Sequence, residues 1–166
     1  MINSVKKILS SEDFISKKIL VAGWVKTFRA NRFISLNDGS TINNLQCVID
    51  FEKYNDEFLK KISTGSAIEI NGKLVESQGS KQSVEVLVDE IIILGESDPD
   101  DYPIQPKKHS LEFLRSVSHL RTRTTTFSSV MRIRSTLSYA IHTFFQRNGF
   151  YYVNTCLLYT SPSPRD

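Results

Sequence analysis

Five β-rich segments in which apolar and polar residues alternate constrain this chain more than any other feature of its sequence. They occupy residues 19–25, 33–36, 45–50, 67–75 and 84–94. A period of two is typical of strands with one buried face. Residues 57–62 have instead the apolar spacing of a short helix, which ends at Thr64-Gly65. The sequence therefore predicts five short strands, with one helix between the third and the fourth.

This chain order predicts an all-β, five-stranded OB-fold barrel with one short helix, formed by residues 1–96. Gly23 and Gly72 lie within predicted strands, where a small barrel needs bulges or sharp bends. The edge of a plain five-stranded sandwich is the alternative that the pattern leaves open.

A proline-containing stretch follows the predicted barrel and indicates a linker over residues 97–125. Pro99, Pro103 and Pro106 fix φ and interrupt both helices and strands. Near its end, residues 110–115 have the pattern of a short helix with Ser110 as the N-cap.

A long amphipathic helix is predicted beyond the linker, within an α+β region over residues 126–155. Apolar residues recur at intervals of three and four from Phe127 to Phe145, and the pattern stops at Asn148-Gly149. Residues 150–153 then predict a strand. Residues 156–166 are rich in serine and proline and are interpreted as a tail foreign to the preceding sequence.

Charge and composition exclude several classes of function. Residues 1–100 carry a net charge of −3 and residues 101–166 a net charge of +6. No apolar run approaches the roughly 18 residues of a membrane helix, and no secretory signal is visible, which favours a cytoplasmic protein without membrane contact. The two cysteines and three histidines lack the spacing of a metal or catalytic site, and no phosphate-binding loop is found. We therefore predict no catalytic residue, cofactor or metal in this chain.

The best-supported chemistry is nucleic-acid binding on the face of the second and third strands, which OB barrels use for single strands. Alternation places Phe33 and Gln46 outward, where the ring can stack on a base and the amide can bond a base edge. Basic residues before this face are expected to neutralise phosphates, and an acidic residue of the fifth strand to accept a hydrogen bond. These charged residues are Lys26, Arg29, Arg32 and Glu85. Structural roles remain the alternative: a core aromatic at the barrel end, a solvated glutamine and an ordinary charged loop.

Two groups of segments carry a resemblance to a known family. The first group comprises residues 21–27, 37–40, 45–49 and 100–103. The second, more specific group is KKHSLEFLR at 107–115 with HLRTRT at 119–124. The chain resembles the N-terminal part of bacterial-type asparaginyl-tRNA synthetases, of class IIb. The GWV strand alone would also suit the aspartyl and lysyl relatives.

The resemblance implies an anticodon-binding domain at 1–96, a hinge at 97–125 and the start of a class II catalytic domain at 126–155. Residues 128–153 match the family's first motif, a helix and strand of the homodimer interface. The full-length family ligates asparagine to tRNA(Asn) with ATP and Mg²⁺. Because the later motifs do not follow, we expect this chain to be a truncated fragment without activity of its own.

The family alignment also implies roles for individual residues. Phe33 matches the aromatic that stacks on the central anticodon uridine, and Gln46 matches the residue that reads the edge of that base. Arg29 and Glu85 match residues near the anticodon bases. A stand-alone OB-fold module for single-stranded nucleic acids, or a fragment of the aspartyl or lysyl relatives, is the alternative function.

Overall fold

The computed structural model describes residues 2–77, 79 and 82–154, and five strands and four helices form within them. The strands are β1 (Lys18–Arg29), β2 (Phe33–Asn37), β3 (Leu45–Val48), β4 (Ala67–Glu76) and β5 (Val84–Gly95). The helices are α1 (Val5–Ser10), α2 (Asp56–Lys61), α3 (Leu111–Ser116) and α4 (Thr125–Arg147). Short 3-10 turns lie at Glu12–Phe14, Phe51–Lys53 and Arg121–Arg123.

The strands close into a barrel in the order β1-β2-β3-β5-β4, with β4 returning to β1. All neighbouring pairs are antiparallel except β3 and β5, which are parallel. The α2 helix lies between β3 and β4 in the chain. The predicted five-stranded OB-fold barrel with one short helix is confirmed, and the open sandwich edge is excluded.

The barrel interior is filled by the apolar half of each alternating strand. Ile34 and Leu36 of β2 are fully buried, as are Leu45 and Cys47 of β3. Burying a side chain of this size contributes about 1.5–3 kcal/mol relative to leaving it exposed. The period-two pattern therefore assigned the inward face of these two strands correctly.

Gly72 allows two barrel strands to approach more closely than a side chain would permit. A Cβ atom at this position would lie 2.3 Å from the carbonyl oxygen of Leu87. The β4–β5 register also shifts between Asn71 and Gly72. Gly23 meets the backbone of Asn37 in the same way, with a Cβ-to-oxygen distance of 2.7 Å. Both glycines thus allow the close approach of neighbouring strands at the positions where the sequence predicted bulges or bends.

The α1 helix packs its apolar face into the barrel core through Val5 and Ile8. The backbone N–H of Val5 donates to Asp38 Oδ2 at 2.9 Å, which fixes the start of this helix. Burial alone would raise the pKa of Asp38. Hydrogen bonds from the Ser40 hydroxyl and from backbone amides outweigh it and hold this pKa below its ordinary value.

The predicted linker packs with the barrel in one compact unit that extends to Ser128. It contains helix α3, in which the Ser110 hydroxyl accepts from the backbone N–H of Phe113 as the predicted N-cap. Ile104 and Leu114 are buried. The first part of the linker, which contains the three prolines, forms no helix or strand. The buried side chains of Ile104 and Leu114 nevertheless pack the linker within this unit.

The second unit begins at Ser129, and its described part consists of most of α4 and the residues after it. Gly149 has a φ of +83°, and the N–H of Phe150 donates to the carbonyl of Phe145. This is the Schellman arrangement that ends a helix at glycine, so the predicted helix end is confirmed. No described helix has the length and apolar character needed to cross a membrane.

The strand predicted at residues 150–153 is wrong, because these residues form no regular secondary structure. A strand needs a neighbouring strand for its backbone hydrogen bonds, and the local β pattern carries no information about that neighbour. The foreign tail predicted at 156–166 lies outside the described residues.

Candidate nucleic-acid interface

The outward side of the barrel brings the predicted binding residues onto one surface. Phe33 lies between Arg29 of β1 and Val48 of β3, and Val48 lies beside Leu87 of β5. Gln46 occupies the adjacent row on the same side of β3, because alternate residues of a strand share a face. We call the surface formed by Arg29, Phe33, Gln46, Glu85 and Leu87 the binding face.

Phe33 presents an aromatic ring that does not belong to the hydrophobic core. Its side chain is half-buried, and the guanidinium carbon of Arg32 lies 5.7 Å from the ring centroid. Arg32 follows a tight turn in which Ala30 and Asn31 both have positive φ. A ring flanked by an exposed cation suits both base stacking and phosphate neutralisation.

Gln46 and Glu85 are joined by a side-chain hydrogen bond across β3 and β5. The amide Nε2 of Gln46 donates to Oε2 of Glu85 at 3.0 Å, and the Ser77 hydroxyl donates to the same oxygen at 3.2 Å. The backbone N–H of Gln46 donates to Oε1 of Gln82 at 3.2 Å. Both functional side chains are therefore held in defined orientations before any ligand arrives.

Lys26 is directed away from the binding face, although it was predicted to contribute to it. Its ammonium donates a hydrogen bond to the backbone carbonyl of Arg123. The Arg123 guanidinium in turn lies 4.4 Å from the centroid of the Trp24 ring. Burial, and next the positive charge of Arg123, lower the pKa of Lys26. This lysine therefore contacts the segment after the barrel.

Five of the six predicted residues thus lie on or beside one surface: Arg29, Arg32, Phe33, Gln46 and Glu85. The sequence prediction missed three further residues at this surface, namely Ser77, Gln82 and Leu87. Leu87 is 43% exposed, and Ile92 and Leu94 further along the same strand are exposed as well. The strand alternation already indicated that it shares a side with Glu85, whereas the contacts of Ser77 and Gln82 depend on tertiary register.

The described residues bring no three histidine, cysteine, aspartate or glutamate side chains together to hold a metal ion. Cys47 is fully buried in the core, and this burial raises the pKa of its thiol far above the ordinary range. A thiol held neutral in this way is unreactive. The chemistry available at the binding face is hydrogen bonding, stacking and charge neutralisation.

The barrel belongs to a known class of nucleic-acid-binding domain. Residues 19–94 match the tRNA anticodon family of OB-fold nucleic acid binding domains. This match covers the binding face and all five strands except Lys18 at the start of β1 and Gly95 at the end of β5.

The particular protein family follows from the most similar relatives. The chain is 48% identical over 158 residues to the asparagine--tRNA ligase of Cytophaga hutchinsonii, covering 93% of this chain and 34% of that protein. It is 52% identical over 157 residues to the asparagine--tRNA ligase of Parabacteroides distasonis, covering 93% of this chain and 33% of that protein. Over the part that it spans, the chain corresponds to the N-terminal third of these asparagine--tRNA ligases.

A solved structure supports the fold independently. The asparaginyl-tRNA synthetase of Pyrococcus horikoshii, complexed with asparaginyl-adenylate, matches with a TM-score of 0.77 at 22% identity. The match covers 93% of this chain and 36% of that one. At this identity the likeness establishes the fold alone.

Proposed function

We propose that this chain binds the anticodon loop of tRNA(Asn), as the anticodon-binding part of an enzyme that ligates asparagine to that tRNA. The proposal extends the family assignment to a specific nucleic acid and to a specific site. Phe33 stacks on a loop base, Gln46 bonds the edge of that base, and Arg29 and Arg32 neutralise neighbouring phosphates.

The observation that carries the proposal is an aromatic ring on the same face of the barrel as a hydrogen-bonded pair of an amide and a carboxylate. Phe33 and Gln46 project from neighbouring strands on one side of an OB barrel, and Glu85 holds the amide of Gln46. Stacking one base on an exposed aromatic contributes about 1–3 kcal/mol. The net charge of −3 over residues 1–100 gives no general attraction to RNA, so binding relies on this local surface.

A direct test compares the affinities of three RNAs for the chain at one fixed salt concentration. They are an anticodon stem-loop with the sequence GUU, the same stem-loop with its central U replaced by A, and an unstructured oligonucleotide of equal length. We expect the GUU loop to bind most tightly, because its central uridine is the base that Phe33 and Gln46 are proposed to contact together. Equal affinity for the two loops would refute anticodon recognition. Equal affinity for all three RNAs would favour a general single-strand-binding module.

The catalytic properties of the full-length family form the wider part of the proposal. The parent enzyme activates asparagine with ATP and Mg²⁺ and acts in the cytoplasm, where its tRNA is used in translation. The described residues contribute tRNA recognition to this reaction. A separate check is the effect of Phe33→Ala in the parent enzyme, which is expected to raise KM for tRNA and to leave ATP-dependent activation of asparagine unchanged.

We further propose that the apolar face of α4 is buried against a second copy of the protein. Val130, Ile133 and Leu137 are 48%, 61% and 57% exposed, and they recur at helical spacing. An exposed apolar stripe of this length favours association. Sedimentation analysis is expected to show a dimer that dissociates in Leu137→Asp. Ser138→Asp, which adds the same charge at a neighbouring polar position, should leave the dimer intact. A monomer at all concentrations would refute the proposal.

A further inference from the structure

We propose that Glu85 is a positioning residue that fixes the amide of Gln46 in one orientation, so that the binding face selects a base with an imino N–H. This inference rests on the proposed function and adds a cause for its base selectivity. It assigns the discrimination between uracil and cytosine to a residue that acts through Gln46.

A glutamine amide cannot by itself distinguish uracil from cytosine. Its oxygen only accepts hydrogen bonds and its nitrogen only donates them, and rotation by half a turn exchanges the two groups. Uracil presents an N3–H donor beside a carbonyl acceptor, whereas cytosine presents an N3 acceptor beside an amino donor. A freely rotating glutamine therefore matches either base.

The contact with Glu85 removes this ambiguity. An ionised carboxylate carries no hydrogen and only accepts, so the group of Gln46 that faces it must be the NH₂. Nε2 of Gln46 lies 3.0 Å from Oε2 of Glu85. The reverse orientation would place the amide oxygen against the carboxylate oxygen, with two acceptors facing each other.

Glu85 is itself held in place. Its Oε2 also accepts from the Ser77 hydroxyl at 3.2 Å, and Ser77 follows directly after β4. The backbone of Gln46 is held by Gln82 through a further hydrogen bond of 3.2 Å. The amide and its carboxylate partner are therefore anchored from three neighbouring segments, which limits the motion that would release the amide.

The orientation leaves the oxygen of Gln46 available for a ligand. In the described part of the chain this Oε1 has no hydrogen-bond partner, and no buried side-chain oxygen or nitrogen there lacks one. Oε1 is thus an accessible acceptor on the face that also carries the Phe33 ring, in the adjacent row of the β2–β3 ladder. A base stacked on that ring meets an acceptor, which suits the N3–H of uracil and opposes the N3 lone pair of cytosine.

The test measures the ratio of affinities for two stem-loops that differ only by U or C at the central anticodon position. The unchanged chain is expected to prefer U by about 5- to 150-fold, the range typical of one good bidentate base contact. In Glu85→Gln the partner amide can donate or accept, so we expect the ratio to fall at least about fivefold.

The matched control is Glu69→Gln, which removes one half-buried negative charge from β4 at a position paired with β1 and the far part of β5. It should change the affinity for both RNAs equally and leave their ratio unchanged. A Glu85→Gln ratio equal to that of the unchanged chain, or an equal loss of affinity for both RNAs, would overturn the inference.

A measurement without RNA separates this inference from the proposed function. The side-chain NH₂ resonances of Gln46 are expected to shift and to exchange faster with solvent in Glu85→Gln, but not in Glu69→Gln. Unchanged resonances would overturn the positioning role even if the chain binds tRNA. Changed resonances in a chain that binds neither stem-loop would uphold the hydrogen bond, but they would refute anticodon binding and the base selection that rests on it.

Discussion

The barrel and helix α4 both consist of strongly patterned sequence, yet they satisfy that pattern to very different degrees. In the barrel, inward apolar residues such as Leu36 and Ile70 are completely buried. In α4, Leu137 and Phe144 are 57% and 62% exposed, and no side chain of the helix is buried. A periodic pattern therefore identifies the apolar face of an element. Whether that face is buried depends on whether another element packs against it.

Replacing one leucine by alanine in each region tests this difference in burial most directly. Leu36→Ala removes a fully buried side chain and is expected to cost about 2–5 kcal/mol of unfolding free energy. Leu137→Ala removes an exposed one and should cost under about 0.5 kcal/mol in the monomer. Urea unfolding followed by the fluorescence of Trp24, the single tryptophan, measures both. Similar losses in the two variants would contradict the contrast.

Glycine substitutions test two different reasons for the absence of a side chain. Gly72→Ala is expected to destabilise the barrel by about 3 kcal/mol, because the new Cβ meets the Leu87 carbonyl at 2.3 Å. Gly149→Ala enters open space but retains a positive φ, at a cost of about 1 kcal/mol to the end of α4. Thermal unfolding by circular dichroism measures both changes. A larger loss of stability in Gly149→Ala than in Gly72→Ala would contradict this prediction.

Two phenylalanines, one in the barrel and one in α4, test which region binds RNA. Phe33→Ala is expected to weaken binding of the GUU stem-loop by about 1–3 kcal/mol, since a base loses its stacking surface. Phe144→Ala removes an equal ring from α4 and should leave this affinity unchanged. Fluorescence anisotropy with labelled RNA at fixed salt provides the measurement. A loss of affinity in Phe144→Ala alone would indicate that the RNA binds α4 and not the barrel.

The smallest expected effect concerns the pH dependence contributed by Lys26, which joins β1 to the segment after the barrel. Burial and the charge of Arg123 lower its pKa in the folded state, so the charged form carries a penalty below that pKa. The penalty disappears as pH rises from the folded pKa towards the unfolded value, and stability contributed by this group rises in that window. The gain should stay below about 1 kcal/mol, because the group is partly solvated.

Comparing urea unfolding of the unchanged chain with Lys26→Met between about pH 8 and 10.5 isolates this contribution. The free energy of the unchanged chain should increase relative to that of the variant as the pH rises. Parallel curves would show that the ammonium of Lys26 is solvated as an ordinary surface lysine is.

Local pattern was sufficient to predict much of the fold and part of the candidate site. Alternation placed Ile34 inward and Phe33 outward, and the turn and capping residues predicted the ends of α4 and the start of α3. The register between β3 and β5 that brings Gln46 next to Glu85 could not be predicted from local pattern, because it results from closure of the whole barrel. The contact of Lys26 with Arg123 was not readable from the sequence either, because the two residues are 97 positions apart in the chain.

The strand predicted at 150–153 was wrong for a related reason. Its aromatic and β-branched residues favour an extended backbone, but a strand exists only as part of a sheet. The exposed side of β5 shows the converse, because Leu87 is apolar and nevertheless faces outward beside the binding residues. An apolar residue in a strand therefore cannot be assigned to the core from its residue type alone.

The parallel pairing of β3 with β5 has a consequence for when the binding face can form during synthesis. Gln46 and its partner Glu85 are 39 residues apart in the chain. A nascent chain that has only just extended past β3 already contains Phe33 and Gln46, but it lacks the carboxylate that orients the amide. The binding face described above can therefore form only after the fifth strand has been synthesised and has paired with the third.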